Sequence, residues 1–431
     1  MKPFGLFLIL ASILVPIYPF VQLAAVYPNT PLLGQYLGVV ALITMALGQF
    51  MATRFAGVEW VFGPLDKTYV LHKWLGIVAV VTMLLHDNIG AEIKSLGPEG
   101  AWSGFGEDLG EVGMNGILIL VGLSLALFIP YNWWKLTHKF IGGFFVLGAV
   151  HFILIDKPFA MTDPLGLYVL AICVLGMVSY AITLLPLRLR RACEYVVTDV
   201  ASIGDTTVIT MTPIGKPLRH RAGQFAFFTF AGAGLGEAHP FTISSAPTDD
   251  GAIRISVKAL GGFTKRLGGK LSVGSKVRAQ GSFGRFGSVS KKTPQVWIGA
   301  GIGITPFTAL IAKVAPTDAP IEVFYTFRDV QNAAHLEELQ ARAQALPNVT
   351  LHLCDTCQSD RLNADLIVDA ITVPLNKAKV LYCGPAQLRR DLLTGLAGHG
   401  VAKRKFHYEE FEIRSDIWPL DKVNTFAKSW L

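Results

Sequence analysis

The sequence predicts a multi-domain membrane protein with a six-helix transmembrane bundle, then an antiparallel β-barrel domain and an α/β domain. Residues 1–186 contain six long apolar stretches, each of a length that can cross a bilayer. Short alternating strands separated by Gly and Pro turns begin after residue 190, and apolar strands alternate with helical stretches from residue 294 onward. We therefore expect domains at 1–190, 191–290 and 291–431.

The composition excludes several other classes of protein. The chain has 431 residues, of which 52% are apolar and 16% are charged, which excludes a disordered chain and is unusual for a soluble protein. The 43 glycines have no period and the five cysteines are few and odd in number, so neither a collagen nor a disulfide scaffold is indicated. In a membrane protein, a net charge of +7 is typical of basic cytoplasmic loops, so no nucleic-acid partner is expected.

Six apolar stretches are the predicted membrane spans. They are 4–25, 32–52, 69–86, 113–130, 134–155 and 164–186. The first stretch is longer than the roughly 7–15 apolar residues of a signal peptide, so we interpret it as a retained helix.

The charges between the spans predict their orientation. Basic residues occupy the segment 188–191 and the loops 53–68 and 131–139, whereas the loop 87–112 has six acidic residues and one basic residue. Because basic loops stay in the cytoplasm, we expect the loop 87–112 on the outer face. With six spans, both termini are then cytoplasmic, and the protein is a multi-pass protein of the inner or plasma membrane.

Four histidines lie within the predicted spans, where ionisable side chains are costly and usually functional. His72 and His86 are fourteen residues apart in the third span, and His138 and His151 are thirteen apart in the fifth. These two spans run in the same direction, and each spacing covers about 20 Å along a helix. His72 can therefore face His138, and His86 can face His151, as in two bis-histidine haems stacked across the bilayer.

The fifth span fits this arrangement less simply than the third. Fourteen residues return to within about 40° of the same helix face, but thirteen miss it by about 140°. We expect local tightening of the fifth helix or a ring that reaches around it. Gly142, Gly143 and Gly148 lie between its histidines and would let a macrocycle approach the backbone.

A second group of residues is typical of a site for a flat heteroaromatic ring. Residues 239–247 read His-Pro-Phe-Thr-Ile-Ser-Ser-Ala-Pro, and small hydroxyls beside an aromatic side chain can bond the edge of such a ring. Arg221 and Gln224 precede this segment. Gly261 and Gly262 follow it and can offer backbone N–H groups to a pyrophosphate.

A glycine-rich turn in the last domain indicates a nucleotide site. Gly299-Ala-Gly-Ile-Gly-Ile-Thr-Pro-Phe307 follows a strand and opens a helix, although it is not the GxGxxG fingerprint. Pro306 suits the first helical turn, where its missing N–H has no partner to lose. At the end of the next strand, Arg328 can meet a ribose 2′-phosphate, which favours NADPH, whereas Asp329 leaves NADH open.

Three motifs in order make a family resemblance specific: His239-Pro-Phe-Thr242, Gly299–Phe307 and Tyr382-Cys-Gly-Pro385. The chain resembles a ferredoxin–NADP reductase-type module preceded by a ferric-reductase-like haem domain, the combination of ferric reductases and NADPH oxidases. The resemblance implies an NAD(P)H oxidoreductase with FAD and two b-type haems, using NADPH or possibly NADH as the donor.

The resemblance also implies roles for particular residues. The flavin would be lined by Pro240, Phe241, Thr242 and Ser244, with Arg221 and Gln224 nearby and His239 as a further cofactor-binding residue. The FAD phosphates would meet Gly261, Gly262 and Thr264. The nicotinamide nucleotide would be bound by Gly299, Gly301, Gly303, Thr305, Pro306 and Arg328, with Cys383 and Gly384 near the nicotinamide. Thr242, Cys383 and a covering aromatic residue, Phe411, form the expected catalytic set.

Three electron acceptors remain open at the sequence level. We place a ferric complex first, because the acidic loop 87–112 can attract cationic metal complexes. The alternatives are dioxygen, as in a superoxide-generating oxidase, and a periplasmic redox protein that this chain serves as a membrane-bound electron donor. The pair Cys354 and Cys357 lacks a second CxxC, so we interpret these residues as ordinary cysteines near a strand end.

Overall fold

The computed structural model describes residues 2–96, 100–125, 131–185, 192–232, 234–287, 291–358 and 360–409. The chain divides into two compact units, Met1–Leu185 and Pro186–Glu412. Arg188, Arg190, Arg191 and Phe411 lie outside the described residues.

The first unit is helical. Its helices are α1 (Pro3–Leu14), α2 (Ile17–Leu23), α3 (Asn29–Ala52), α4 (Ala56–Phe62), α5 (Leu65–Ile89), α6 (Ser103–Leu125), α7 (Tyr131–Leu154) and α8 (Pro164–Leu184). Within the described residues, six segments are long and apolar enough to cross a membrane, with α1 and α2 together forming the first. The six predicted spans are confirmed, and the chain is a multi-pass membrane protein.

Two of the spans differ in detail from the prediction. The first stretch contains two helices, because Pro16 lies at the junction where α1 ends and α2 begins. The fourth helix begins at Ser103 rather than near residue 113, so Glu107 and Asp108 lie on its first turns and not in a loop. Both carboxylates are exposed, so the helix contains them without burying charge. The predicted stretch excluded them because it was limited to apolar residues.

The helix α3 lies at the centre of the first unit. It packs against both α5 and α8, and its Ile43 and Ala46 side chains are fully buried. Gly176 of α8 lets this packing be close, because an added Cβ there would lie 2.9 Å from the Cβ of Ala46. The helices that carry the histidines are therefore held against a packed centre.

The second unit begins with a curled antiparallel sheet, as predicted. Its elements are β1 (Cys193–Ile203), β2 (Thr206–Ile214), β3 (Phe225–Phe230), β4 (His239–Thr242), β5 (Ile253–Lys258), α9 (Gly262–Lys270) and β6 (Lys276–Phe283). The strand order is β4-β3-β6-β1-β2-β5, and a bridge between Ile243 and Ile255 joins the two edges. Closure of the sheet buries an interior that includes Tyr195, Ile209 and Phe228.

The rest of the second unit is a parallel sheet with helices. Its elements are β7 (Gln295–Ala300), α10 (Thr305–Ile311), β8 (Ile321–Phe327), α11 (Leu336–Gln344), β9 (Val349–Asp355), α12 (Ala364–Ala370), β10 (Lys379–Cys383), α13 (Ala386–Gly398) and β11 (Phe406–Tyr408). The strand order is β11-β10-β7-β8-β9, and every residue of β7 and β8 is buried, as expected of central parallel strands. The order reverses between β7 and β10, and ligands bind beyond the carboxyl ends of strands at such a point.

Candidate active site

The four membrane histidines form two facing pairs. The ring centroids of His72 and His138 are 6.1 Å apart, and those of His86 and His151 are 6.4 Å apart. Two imidazoles that bind one iron atom from opposite sides, each at about 2.0 Å, place their ring centroids roughly 6 Å apart. The donor set and its spacing therefore fit two six-coordinate haem irons.

The Nδ1 atom of each histidine already has a hydrogen-bonding partner. His72 Nδ1 lies 3.1 Å from the Gly48 carbonyl oxygen, and His86 Nδ1 lies 2.8 Å from that of Gly34, both on α3. On α6, the partners are the Gly106 carbonyl for His151 at 2.8 Å and the Ser124 hydroxyl for His138 at 3.3 Å. Such bonds fix the ring orientation and leave Nε2 for a metal, as in most histidine metal sites.

Four helices contribute to the histidine pairs: α5 and α7 carry the histidines, and α3 and α6 carry their hydrogen-bonding partners. The helices α3 and α6 run opposite to α5 and α7, so their early residues lie level with the late histidines. Gly34 and Gly106, near the starts of their helices, accordingly meet His86 and His151. The predicted two levels of histidines therefore have matching partners at each level.

The rings on α7 reach their partners without a break in the helix. The helix is continuous from Tyr131 to Leu154, so no break separates His138 from His151. Trp134 stacks on the His138 ring at 5.2 Å and 16°, which supports it from one side. Gly142 packs against Tyr180 of α8, where an added Cβ would lie 2.2 Å from the ring. That glycine therefore serves helix packing and not the approach of a macrocycle.

Glycines on the neighbouring helices were missed by sequence reasoning and bring the backbone close to the histidine rings. An added Cβ at Gly110 of α6 would lie 2.6 Å from His151 Nδ1, and one at Gly38 of α3 would lie 2.9 Å from His86 Nδ1. Without a Cβ, the imidazole can lie against the helix and bond the carbonyl one turn earlier.

If the His86–His151 pair binds haem, we expect Gly110→Ala to weaken that binding about 10- to 100-fold, because the new methyl group displaces His151 from its Gly106 partner. Haem affinity is measured by titrating haem into the apoprotein. Gly104→Ala on the same helix is the control, because an added Cβ there meets nothing within 4 Å. Equal affinities in the two variants would contradict the role given to Gly110.

The predicted flavin segment lies on β4, the short strand at one edge of the curled sheet. It pairs with β3, with Thr242 opposite Phe225 and His239 opposite Phe228. Pro240 is exposed, and Phe241 and Thr242 are partly exposed, so this edge can receive a ring. The Gln224 amide accepts from Ser282 Oγ at 2.8 Å and donates to the Gly284 carbonyl at 2.9 Å, which ties the adjoining loops together.

Ser244 is placed differently from the other predicted flavin residues. Its side chain is fully buried. Its hydroxyl donates to the Arg254 carbonyl at 3.1 Å and lies 3.2 Å from Ser256 Oγ. The side chain therefore faces a polar interior and not the open edge of β4.

The predicted phosphate turn lies beside this strand. His239 stacks on Phe263 at 3.7 Å and 25°, which brings β4 next to the start of α9. Thr264 Oγ1 accepts from the backbone N–H groups of Leu260 and Gly261 at 3.0 and 2.9 Å. Thr264 therefore shapes the turn, and the N–H groups at the start of α9 remain suited to a phosphate.

The glycine-rich turn and the Cys383 segment meet at the switch point of the parallel sheet. Gly303 packs so closely on β10 that an added Cβ would lie 2.1 Å from the Cys383 carbonyl oxygen. Gly301 has a φ of +56°, a left-handed conformation that glycine adopts most readily. Thr305 Oγ1 donates to the Ile302 carbonyl at 3.0 Å, and Pro306 lies in the first turn of α10.

Arg328 and Asp329 follow β8 and differ in their exposure and hydrogen bonding. Arg328 is exposed. The Asp329 carboxylate accepts from the backbone N–H and the side-chain amide of Asn332, and these hydrogen bonds lower its pKa. Asp329 therefore caps a short turn, while Arg328 extends toward solvent.

Glu409 is a residue of this region that sequence reasoning missed. Its Oε1 accepts from the Arg285 backbone N–H at 3.2 Å. Burial, and then the Glu409 carboxylate, raise the pKa of the Cys383 thiol, so this thiol stays protonated at neutral pH. The only signal in the sequence was the pair of carboxylates just before Phe411, which itself lies outside the described residues.

Comparisons with known proteins agree with this architecture. Family models match three successive parts of the chain: a ferric reductase like transmembrane component at residues 37–149, an FAD-binding domain at 194–301 and an oxidoreductase NAD-binding domain at 297–393. Fold and site together define a membrane-embedded oxidoreductase with FAD- and NAD(P)H-binding domains. The chain belongs to the ferric reductase and NADPH oxidase family.

Individual relatives match about half of the chain at low sequence identity. A flavohemoprotein of Xylella fastidiosa (strain Temecula1 / ATCC 700964) is 28% identical over 209 residues, which cover 46% of this chain and 52% of that protein. The heavy chain of a superoxide-generating NADPH oxidase from Dictyostelium discoideum is 27% identical over 203 residues, which cover 42% of this chain and 37% of that one. The chain thus spans about half or less of the length of these relatives.

One solved structure extends over most of the chain. A flavohemoglobin from Malassezia yamatoensis with bound FAD and heme has a TM-score of 0.50 and 17% identity, and covers 91% of this chain and 97% of that one. At this identity the likeness is one of fold.

Proposed function

We propose that this protein transfers electrons from NADPH on the cytoplasmic side of a membrane, through FAD and two b-type haems, to an acceptor on the outer face. The proposal rests on one observation: His72 faces His138 and His86 faces His151, at two levels of one helical bundle. When bound, FAD would supply the conversion of a hydride into single electrons, and haems held by the histidine pairs would supply the path for them. The chain's own residues bind and orient these groups.

The two domains of the second unit would divide the binding task. The edge of β4, with Phe241 and Thr242, would hold the flavin, and the start of α9 would hold its phosphates. The turn Gly299–Gly303 would hold the phosphates of the nicotinamide nucleotide. Cys383, protonated and buried beside that turn, would limit the nicotinamide position without carrying charge.

We propose a ferric complex as the acceptor. The family model that matches the histidine-bearing helices is described as ferric reductase like. Exposed carboxylates near the level of His86 and His151 would attract a cationic complex: Asp87, Glu92, Glu107 and Asp108. The second candidate is dioxygen, favoured by the name of the Dictyostelium relative. A periplasmic redox protein is the third, and it predicts little turnover with small acceptors alone.

An anaerobic experiment tests the proposal. The detergent-purified protein is supplied with FAD and NADPH, and the visible spectrum is followed. We expect the flavin to bleach while a sharp low-spin b-haem band rises. Bleaching of flavin with no haem band, even after dithionite, would contradict the haem pathway. Adding ferric citrate or air afterwards identifies the acceptor, with superoxide dismutase distinguishing direct from superoxide-mediated reduction.

Arg328 is exposed just after β8, where its guanidinium can meet the ribose 2′-phosphate, so a preference for NADPH is predicted. We expect Arg328→Ala to raise KM for NADPH about tenfold and to leave KM for NADH unchanged, because a charged hydrogen bond to the 2′-phosphate is lost. Steady-state kinetics with both donors measure this. Arg342→Ala, an exposed arginine on α11, is the control. An equal rise for both nucleotides would exclude recognition of the 2′-phosphate by Arg328.

A further inference from the structure

Six polar side chains form a cluster between the two domains of the second unit, which we call the interdomain cluster. The curled sheet supplies Ser244, Arg254 and Ser256, and the parallel-sheet domain supplies Thr308, His335 and Glu338. Four of the six side chains belong to buried residues: Ser244, Ser256, Thr308 and His335. Buried polar groups destabilise a protein unless they are hydrogen-bonded, so the bonds within this cluster set its geometry.

The hydrogen bonds of the cluster form a closed circuit across the domain boundary. Ser256 Oγ lies 2.7 Å from His335 Nε2, and His335 Nδ1 lies 3.2 Å from a Glu338 carboxylate oxygen. Arg254 donates to the Glu338 carboxylate at 2.8 Å and to the Ser244 carbonyl at 3.1 Å. Ser244 Oγ, 3.2 Å from Ser256 Oγ, completes the circuit.

The cluster is attached directly to both binding segments. Thr308 Oγ1 donates to the Ser244 carbonyl at 2.9 Å. Ser244 lies two residues after Thr242 of the flavin strand, and Thr308 lies three residues after Thr305 of the nucleotide turn. This single bond therefore joins the strand that would hold the flavin to the helix that would hold the nucleotide.

His335 is held in an uncommon conformation by these contacts. Its backbone has φ +62° and ψ 18°, in the left-handed region that residues other than glycine seldom adopt, at the start of α11. Both ring nitrogens are bonded, one to each domain. Such a conformation persists only where the surroundings determine it.

We propose that the interdomain cluster sets the position of the nucleotide-binding helix relative to the flavin-binding strand, with His335 and Glu338 as positioning residues for hydride transfer. The inference rests on the proposed function. Hydride transfer requires the reacting atoms to approach within about 3–3.5 Å, and here two different domains supply the two sites. The contact that fixes one domain against the other therefore controls the rate of the step.

The test is stopped-flow reduction of bound FAD by saturating NADPH, without oxygen, in the full-length protein. We expect Glu338→Ala and His335→Asn to lower the rate constant per bound FAD about 10- to 100-fold. Asparagine tolerates the left-handed backbone, so that variant removes the ring bonds with little added strain. Thr308→Val is a third variant, which removes the bonds of Thr308 Oγ1 to the carbonyl oxygens of Ser244 and Thr305. Glu337→Ala is the matched control, an exposed carboxylate next to Glu338.

Positioning and simple stabilisation predict different results. If Glu338→Ala and His335→Asn lower the melting temperature or the FAD content but keep the wild-type rate constant per bound FAD, the cluster only stabilises the unit and the proposal is overturned. A long-wavelength charge-transfer band between nucleotide and flavin should also weaken in both variants but persist in Glu337→Ala. If NADPH fails to reduce the flavin of the wild-type protein while dithionite succeeds, the proposed function itself is wrong.

Discussion

On the proposed function, replacing His151 with alanine is expected to remove one of the two proposed haems and to stop electron transfer to the proposed outer acceptor. Haem content falls by about half, because an iron that loses one of two imidazole ligands is no longer held six-coordinate. Reduction of FAD by NADPH continues at the wild-type rate. The measurements are the pyridine haemochrome content, the dithionite-reduced spectrum and the flavin bleaching rate.

Because the histidines face each other in pairs, the two variants of one pair should have the same effect. His86→Ala should give the same spectrum as His151→Ala, and the double variant should lose no more haem than either single variant, because both ligands act on one iron. His72→Ala and His138→Ala should form a second matching set. His399→Ala, on an exposed histidine that bonds Asp365, is the control and should keep both haems. The pairing would be overturned if the spectrum of His151→Ala matched that of His72→Ala or His138→Ala and not that of His86→Ala.

Replacing Gly303 with alanine is expected to abolish NADPH-dependent flavin reduction, lowering its rate at least about 100-fold. The added Cβ would lie 2.1 Å from the Cys383 carbonyl oxygen, so the turn or the end of β10 must move. Both segments lie at the switch point where the nicotinamide nucleotide would bind. Stopped-flow reduction by NADPH measures the effect, and dithionite reduction of the same sample shows that flavin and haem remain bound.

The control for this substitution is Gly398→Ala at the end of α13. An added Cβ there meets nothing within 4 Å, and the residue is exposed. We expect wild-type kinetics and equal or slightly higher stability, because alanine favours helix more than glycine does. Wild-type hydride transfer in Gly303→Ala would mean that the close approach at this turn is not needed for nucleotide binding.

Several features of the site could be predicted because they depend on neighbours in the sequence. The spacing of His72 and His86 on one helix determines their separation along the axis, whatever the rest of the chain does. Likewise, a glycine-rich turn between an apolar strand and Pro306 indicates the start of a helix at that point. In the structure, the two histidines reach partners at two levels, and Pro306 lies in the first turn of α10.

Other features depend on residues far apart in the sequence. The partner of His86 Nδ1 is the carbonyl of Gly34, 52 residues away, and that of His151 is Gly106, 45 residues away. Nothing local marks these glycines as histidine partners. Ser244 was placed at the flavin for the same reason: the motif shows its neighbours in sequence and not the Arg254 and Ser256 side chains that surround it.

The sequence by itself determined the class of fold, the six membrane spans and the residue types available for haem, flavin and nucleotide. Apolar length and periodicity are local properties, so they can be read without the fold. Only the tertiary structure decided which backbone carbonyls the histidines bond, that α6 begins at Ser103, that Glu409 lies near Cys383, and that His335 and Glu338 join two domains. These depend on which distant segments pack together, because close approach and hydrogen bonding are set by the packed arrangement of the whole unit.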